Sequence, residues 1–173
     1  MLEMVTKGDG IQGLVLAPTR ELANQISKEM RKWAKYLDLS IATVFGGVGF
    51  DPQVRLIEKS EIVVGTPGRT LDHLMRGTLK LKNLKCFALD EADKMVEMGF
   101  IEDVEQILSA SNDTRQILLF GATISNEIDH IKHKYMKDTV VAEAELHVKK
   151  DLLEQFYYNV PMNQKFSLLV HLL

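Results

Sequence analysis

Asp90 and Glu91 stand side by side at the end of an apolar run, Cys86-Phe87-Ala88-Leu89, and Asp93 follows two residues later. Such a run reads as a buried strand, and a buried strand does not leave carboxylates unpaired in the interior. The acids therefore emerge at its C-terminal end, where an open α/β sheet holds its ligand crevice. There one carboxylate can hold hydrated Mg²⁺ while its neighbour orients or deprotonates an attacking water. The competing reading is structural: Asp-Glu can simply open the next helix, where negative charge suits the dipole.

Three further segments combine turn formers with groups that hold anions. In Pro18-Thr19-Arg20-Glu21-Leu22-Ala23 the proline cannot pair in a sheet and keeps Ala17 extended, so the turn is sharp and the first helical amides are free for an anion. Arg20 adds a guanidinium that forks onto phosphate. Thr66-Pro67-Gly68-Arg69 repeats the arrangement, with Gly68 permitting close backbone approach, and Gly46-Gly47 is a third unobstructed surface. Donor-rich turns along one sheet edge suit a sugar-phosphate backbone read without base contacts. Taken singly, each is equally a tight strand-to-helix turn with its arginine in a local ion pair.

The elements that must carry these turns alternate along the chain. Gly13 to Ala17 predicts a buried strand, and Thr19 to Leu37 follows with Leu22, Ile26, Met30, Trp33 and Leu37 on one helix face. On that stripe Trp33 is expected in the core rather than as a base-stacking platform. Ser40 to Phe45 predicts a second strand stopped by Gly46-Gly47, and Pro52 sits near the start of a short helix with Val54, Leu56 and Ile57. Glu61 to Val64 predicts a third strand, and the turn after it opens a helix with Leu71, Leu74 and Met75 inward. The Cys86 to Leu89 strand leads to a helix around Glu102 to Ala110. Gln116 to Phe120 leads to Gly121-Ala122-Thr123 and a helix with Ile128, Ile131 and Tyr135. Thr139 to Ala142 and Gln155 to Val160 predict late strands. Strands separated by helices specify an α/β fold with a mostly parallel sheet and right-handed crossovers. After Pro161, Met162 to Leu173 predicts a helix that stays apolar to its end and is expected to belong to a second domain; a helix docked on the first domain is the alternative.

At 173 residues and 46% hydrophobic, the chain suits one compact domain, or one domain plus part of another. It has no run of about 18 apolar residues and no signal-like N-terminus, so a cytoplasmic or otherwise intracellular protein without a membrane partner is expected. Its one cysteine, Cys86, is expected as a reduced core side chain. A net charge of −3 gives no general affinity for polyanions, so nucleic-acid contact must be local. Asp129, His130 and His133 lack further ligands nearby and, like Lys132, Lys134 and Lys137, read as a solvated helix face.

Ala17-Pro18-Thr19-Arg20-Glu21-Leu22-Ala23, Gly46-Gly47, Val64-Gly65-Thr66-Pro67-Gly68-Arg69, Asp90-Glu91-Ala92-Asp93, Met98-Gly99-Phe100 and Gly121-Ala122-Thr123 occur in the order and approximate spacing of the DEAD-box RNA helicases. The chain resembles the N-terminal RecA-like domain of that family over nearly its whole length. The resemblance implies a three-layer RecA-like fold of the P-loop NTPase type and coupling of ATP hydrolysis to RNA binding and unwinding. It implies Mg²⁺ and ATP as cofactors of the complete enzyme, and RNA and a second RecA-like domain as partners. By the same resemblance Asp90 holds Mg²⁺ through water, and Glu91 positions and activates the hydrolytic water. Asp93 bonds to Gly121, Ala122 and Thr123 and couples the two functions. Pro18, Thr19, Arg20, Gly46, Gly47, Thr66, Gly68 and Arg69 line the RNA-backbone path. Residues 1–160 are then a partial N-terminal RecA-like domain, and 161–173 an interdomain linker with the start of the second.

The chain also departs from the family. Members carry, ahead of the strand matching Gly13 to Ala17, a nucleotide-selecting glutamine segment, a strand, a phosphate loop ending in Gly-Lys-Thr or Gly-Lys-Ser, and a helix; none lies within these 173 residues. Lys7-Gly8-Asp9-Gly10 lacks the phosphate-loop spacing and reads as a flexible loop. The fold is therefore expected without its first strand and phosphate loop, and this chain alone is expected to be inactive, its own binding of ATP and Mg²⁺ being in question. A gap is expected beside the strand following Gly121-Ala122-Thr123 or beside Thr139 to Ala142, an unpaired edge that invites self-association. Gly121 stands where the family usually has serine, which removes one bond to Asp93, worth about 1 kcal/mol, while Thr123 is expected to keep another. Thr70, in place of the common apolar residue, is a minor change. The alternative function is a non-catalytic remnant of a helicase domain that binds RNA or a partner.

Overall fold

The computed structural model describes residues 1–142, 154 and 156–173. They fall into two compact units, Met1–Val140 and Val141–Leu173.

Five short strands make the sheet of the first unit: β1 (Gly13–Leu16), β2 (Ile41–Val44), β3 (Ile62–Gly65), β4 (Cys86–Leu89) and β5 (Gln116–Leu119). Their order is β2-β3-β1-β4-β5, and every pairing is parallel. Each ladder is in step: Gly13 pairs with Ile62 on one side and Cys86 on the other. A parallel sheet covered on both faces needs apolar side chains at every position, which is why these strands read as unbroken hydrophobic runs.

The period-2 alternation splits the core in two. Leu14, Leu16, Val44, Val63, Phe87 and Leu89 pack on one face, and Val15, Ala17, Ile41, Ile62, Val64 and Ala88 on the other. On the second face lies α1 (Arg20–Trp33) with Met30 and Ala34; the first face is covered by helices carrying Ile57, Met95, Val104, Ile107, Ile128 and Ile131. These are α2 (Phe50–Ile57), α3 (Pro67–Met75), α4 (Ala92–Glu97), α5 (Ile101–Ser109) and α6 (Asn126–Tyr135). The expected α/β architecture with three layers is thus present, with a sheet that is wholly rather than mostly parallel. Each fully buried leucine or isoleucine contributes about 1.5–3 kcal/mol.

The helices differ from the expected pattern in instructive ways. In α1 the inward line is Ala23, Ser27, Met30 and Ala34, and the helix ends at Trp33 before a 3-10 turn, Ala34–Tyr36. Small residues let α1 approach the sheet closely, and Trp33, about 100° round from Ala34, is left 67% exposed rather than in the core. Met75, expected inward, is also exposed, as is Leu56; α2 buries Gln53 and Ile57, and α3 buries Pro67, Thr70 and His73. Helix α4 has no counterpart in the expected elements. It stops where Gly99, at φ +75°, turns left-handed, with Gly99 N–H donating to Val96 O (3.0 Å) and Phe100 N–H to Met95 O (2.9 Å). That pair of bonds is the C-terminal closure glycine makes possible, so Met98-Gly99-Phe100 has a structural role.

Two expected strands do not form. Residues 139–142 and 156–160 carry no strand, and Gln155 lies outside the described residues. A strand there would need a neighbour, and none flanks β5 on its outer side among the described residues. The open edge accordingly belongs to β5, which precedes Gly121, and not to a strand after Thr123. Lys7-Gly8-Asp9-Gly10 is a loop, but a tethered one: Gly8 N–H donates to Glu61 Oε1 (3.3 Å), and Lys7 Nζ pairs with the same oxygen at 3.5 Å. Cys86 is a buried free thiol, pushed up in pKa by that burial and so unreactive.

In the second unit a 3-10 turn, Met162–Gln164, opens α7 (Lys165–Leu172), where one continuous helix was expected from Met162. No helix among the described residues is long and apolar enough to cross a membrane.

Candidate functional site: an acidic turn beside three donor-rich turns

The acidic turn is clamped by the strands on either side of β4. Asp90 N–H donates to Leu16 O at the end of β1 (3.0 Å), and Ala92 N–H donates to Phe120 O just after β5 (2.9 Å). Between these two anchors Glu91 takes a left-handed conformation, φ 51° and ψ 51°, which costs a non-glycine residue about 1–2 kcal/mol. Asp90 Oδ1 accepts from Glu91 N–H at 3.0 Å, and Lys94 Nζ pairs with Glu91 Oε2 at 3.0 Å. The hydrogen bond with Glu91 also helps hold Lys94 protonated.

Burial raises the pKa of Asp90; the hydrogen bond from Glu91 N–H opposes that, and the neighbouring Glu91 charge adds to it. Among the described residues Asp90 Oδ2 takes no protein hydrogen bond. A carboxylate with one oxygen unmatched and its ionised form disfavoured by burial is the donor a hydrated divalent cation would stabilise, so Asp90 fits Mg²⁺.

Asp93 Oδ2 accepts from Ala122 N–H at 3.2 Å, which joins the acidic turn to the segment after β5. The bond runs through the Ala122 backbone, not the Thr123 hydroxyl expected to supply it; among the described residues Thr123 makes no bond to Asp93. A Cβ at Gly121 would lie 3.3 Å from Asp93 Oδ1, close enough for a serine there to reach the same carboxylate.

The other three turns lie together because β1, β3 and β2 are neighbours. Thr19 caps α1 by accepting from Leu22 N–H at 3.2 Å, so its hydroxyl proton remains free to donate while one helical amide is already used. The Arg20 guanidinium packs over the Gly46-Gly47 loop: a Cβ on Gly47, whose φ is +79°, would lie 2.7 Å from Arg20 Cζ. Arg20 has no carboxylate partner among the described residues. Arg69 reaches the same loop and donates from Nη1 to Val48 O at 3.1 Å, with Asp72 3.8 Å away. Pro67 is the first residue of α3, and the Thr66 side chain makes no capping bond. A Cβ at Gly68 would meet only Asp103 Oδ2, at an ordinary 3.4 Å, so no neighbour within the chain demands glycine there. Arg20, Gly46, Gly47 and Arg69 are therefore one cluster, with Pro18, Thr19, Thr66 and Gly68 in its flanking turns.

Two residues of this cluster's support carried no motif. Gln53 and His73 are buried between α2 and α3, and Gln53 Nε2 donates to Phe45 O (3.1 Å) and Gly49 O (3.2 Å), the two ends of the glycine loop. The signal available was the placement of His73 three residues after Thr70 on the inward side of a short helix. By contrast, His130 and His133 pair with Glu105 (3.2 Å) and Asp129 (3.3 Å), and no group of three potential metal ligands occurs among the described residues. A groove between α3 and α5, lined by Leu71, Leu74, Glu102 and Glu105, includes none of the acidic-turn residues.

The family model for DEAD/DEAH box helicases matches residues 1–131. A probable ATP-dependent RNA helicase of Methanocaldococcus jannaschii is 46% identical over 173 residues, all of this chain and 46% of that protein. The DEAD-box ATP-dependent RNA helicase CshA of Bacillus cereus is 42% identical over 170 residues, 97% of this chain and 32% of that protein. Among solved structures, a DEAD box protein of Methanococcus jannaschii superposes with a TM-score of 0.81 at 46% identity, covering 99% of this chain and 46% of the other. The yeast DEAD-box splicing factor Prp28 gives 0.69 at 37% identity, over 75% and 31%. The chain thus spans less than half the length of each of these proteins.

Proposed function

Because the chain belongs to the DEAD/DEAH box helicase family, we propose that these 173 residues supply the acidic turn and one RNA-backbone surface of an ATP-dependent RNA helicase. The observation that carries this reading is the bond from Ala122 N–H to Asp93, which ties the acidic turn to the end of β5 while Asp90 N–H ties it to β1. Asp90 would hold Mg²⁺ through water, and bound Mg²⁺ offsets charge on the transferring phosphoryl group. Glu91, pinned in its left-handed turn and paired with Lys94, accepts the proton of the attacking water. Asp93 transmits the state of that turn to Gly121-Ala122-Thr123. Arg20, Thr19, Thr66 and the Gly46-Gly47 backbone hold phosphates of a single RNA strand, with Arg69 bracing the loop from behind.

These 173 residues contain no Gly-x-x-x-x-Gly-Lys-Ser/Thr segment. Phosphoryl transfer rests on positioning and charge neutralisation, so by themselves they are inactive as an ATPase, and 161–173 acts as the lead into a second RecA-like domain. The same lack supports a second reading, a non-catalytic module that binds RNA or a partner helicase. One experiment separates them. MgATP hydrolysis with single-stranded RNA is measured for the 173-residue chain and for a chimera carrying it between the N-terminal segment and second domain of the archaeal relative. The chain alone should show none, and the chimera should show RNA-stimulated hydrolysis reduced about 100-fold or more by Glu91→Gln. RNA-stimulated turnover by the chain alone, lost in Glu91→Gln, would overturn the inactivity; a folded chimera indifferent to Glu91→Gln would overturn the catalytic reading.

A further inference from the structure

The Gly46-Gly47 loop has no side chains with which to hold its own shape. Val48 N–H closes a turn over the two glycines, and among the described residues the N–H groups of Gly46 and Gly47 have no protein acceptor. They are free donors beside Arg20, and their direction is set from behind. Gln53 spends both amide protons on Phe45 O and Gly49 O, so its Oε1 must face the other way, toward His73 Nε2 at 3.3 Å. An acceptor there requires His73 to carry its proton on Nε2. The ring itself is fully buried and stacks on Phe50, with centroids 4.1 Å apart and planes 16° apart. Burial, then Arg69, lower its pKa to about 4, partly offset by Asp72, with Arg76 lowering it further. The ring is therefore neutral with a lone pair on Nδ1, and the single proton of the Thr78 hydroxyl has two acceptors within reach, Nδ1 at 2.9 Å and the His73 carbonyl oxygen at 3.0 Å. The tautomer is thus set from the Gln53 side, through Oε1 facing Nε2.

We propose that His73 and Gln53 are positioning residues that fix the Gly46-Gly47 backbone so that its free amides meet consecutive phosphates of a single RNA strand. Neither residue touches the RNA; both act through the loop. The inference rests on the RNA-backbone reading above and adds the device that pre-organises it.

The test uses the whole chain with three variants. Gln53→Met keeps the length of the side chain and removes its donors; His73→Phe keeps the stack on Phe50 and removes the proton; Thr78→Val removes the hydroxyl beside Nδ1 and is the mildest for folding. Amide hydrogen exchange at Gly46 and Gly47 should rise about tenfold or more in the first two and less in the third. Affinity for fluorescent oligouridylate should fall several-fold in the same order, and Arg20→Ala should cost less in Gln53→Met than in the wild type. Nitrogen NMR of wild-type His73 should show the Nε2–H tautomer. Unchanged exchange in folded variants, or the Nδ1–H tautomer, overturns the proposal. Binding that Arg20→Ala weakens and Gln53→Met does not overturns the proposal alone, whereas no binding by the wild-type chain overturns the RNA reading and the proposal with it.

Discussion

Glu91 holds a backbone conformation that glycine would hold without strain, and it does so between two bonds that reach opposite neighbours in the sheet. Glu91→Gly should therefore stabilise the fold by up to about 1 kcal/mol while removing the carboxylate, and Glu91→Ala should give no such gain; urea unfolding of the three proteins measures it. His73 gives a pH dependence whose sign is set by its lowered pKa. The unfolded chain takes up the proton near pH 6.5 and the folded chain only near about 4, so stability is full above 6.5 and falls as pH drops between those values. The loss should reach up to about 3 kcal/mol and be absent in His73→Phe, as unfolding midpoints from pH 7.5 to 4.5 would reveal. Trp33 was placed in the core by its spacing and lies on the surface instead. Its fluorescence, the only tryptophan emission in the chain, should resemble that of the free amino acid in water and be quenched readily by iodide; a blue-shifted, protected emission would contradict the exposed position.

Elements were legible where one residue pattern had one cause. The runs Gly13 to Ala17, Ile62 to Val64 and Cys86 to Leu89 are apolar because both faces of a parallel sheet are covered, and the strands lie where those runs do. The turns that follow them were legible for the same reason, since polar groups cannot stay within such a sheet. Helix faces were harder to read: α1 approaches the sheet through Ala23, Ser27 and Ala34, which carry little hydrophobic signal, and α3 turns His73 inward. Gln53 and His73 were invisible because their role is a hydrogen-bond line across two helices, which no single segment announces. Close approach also explains Gly65: a Cβ there would lie 2.6 Å from Thr70 Oγ1 and 2.7 Å from Val44 O. Gly65→Ala should lower stability by about 1–3 kcal/mol, measurable by thermal unfolding. The outer edge of β5 has no strand partner among the described residues, and we expect concentration-dependent self-association through it, to be checked by sedimentation equilibrium.

Across the whole molecule the net charge of −3 leaves the proposed binding to RNA dependent on a few placed cations. With Arg20 as the one cation that meets phosphate, log affinity for single-stranded RNA should fall with log salt at a slope of about −0.7, far shallower than for a basic nucleic-acid binder; a titration series in potassium chloride gives the slope. A much steeper slope would mean that lysines outside the cluster carry the contact. The family relation was legible from motif order alone, whereas the activity of these 173 residues by themselves was not, since they span less than half of the longer relatives. The sheet order has one further consequence, for synthesis. Of the five strands, β1 comes earliest in the sequence yet sits at the centre between β3 and β4, so Gly13 waits for Ile62 and then Cys86. At roughly 5–20 residues per second the ribosome takes seconds to deliver β3. Throughout that interval the stretch from Gly13 to Ala17 is an unpartnered hydrophobic segment of a nascent chain, and it is a place where a ribosome-associated chaperone would find a hold.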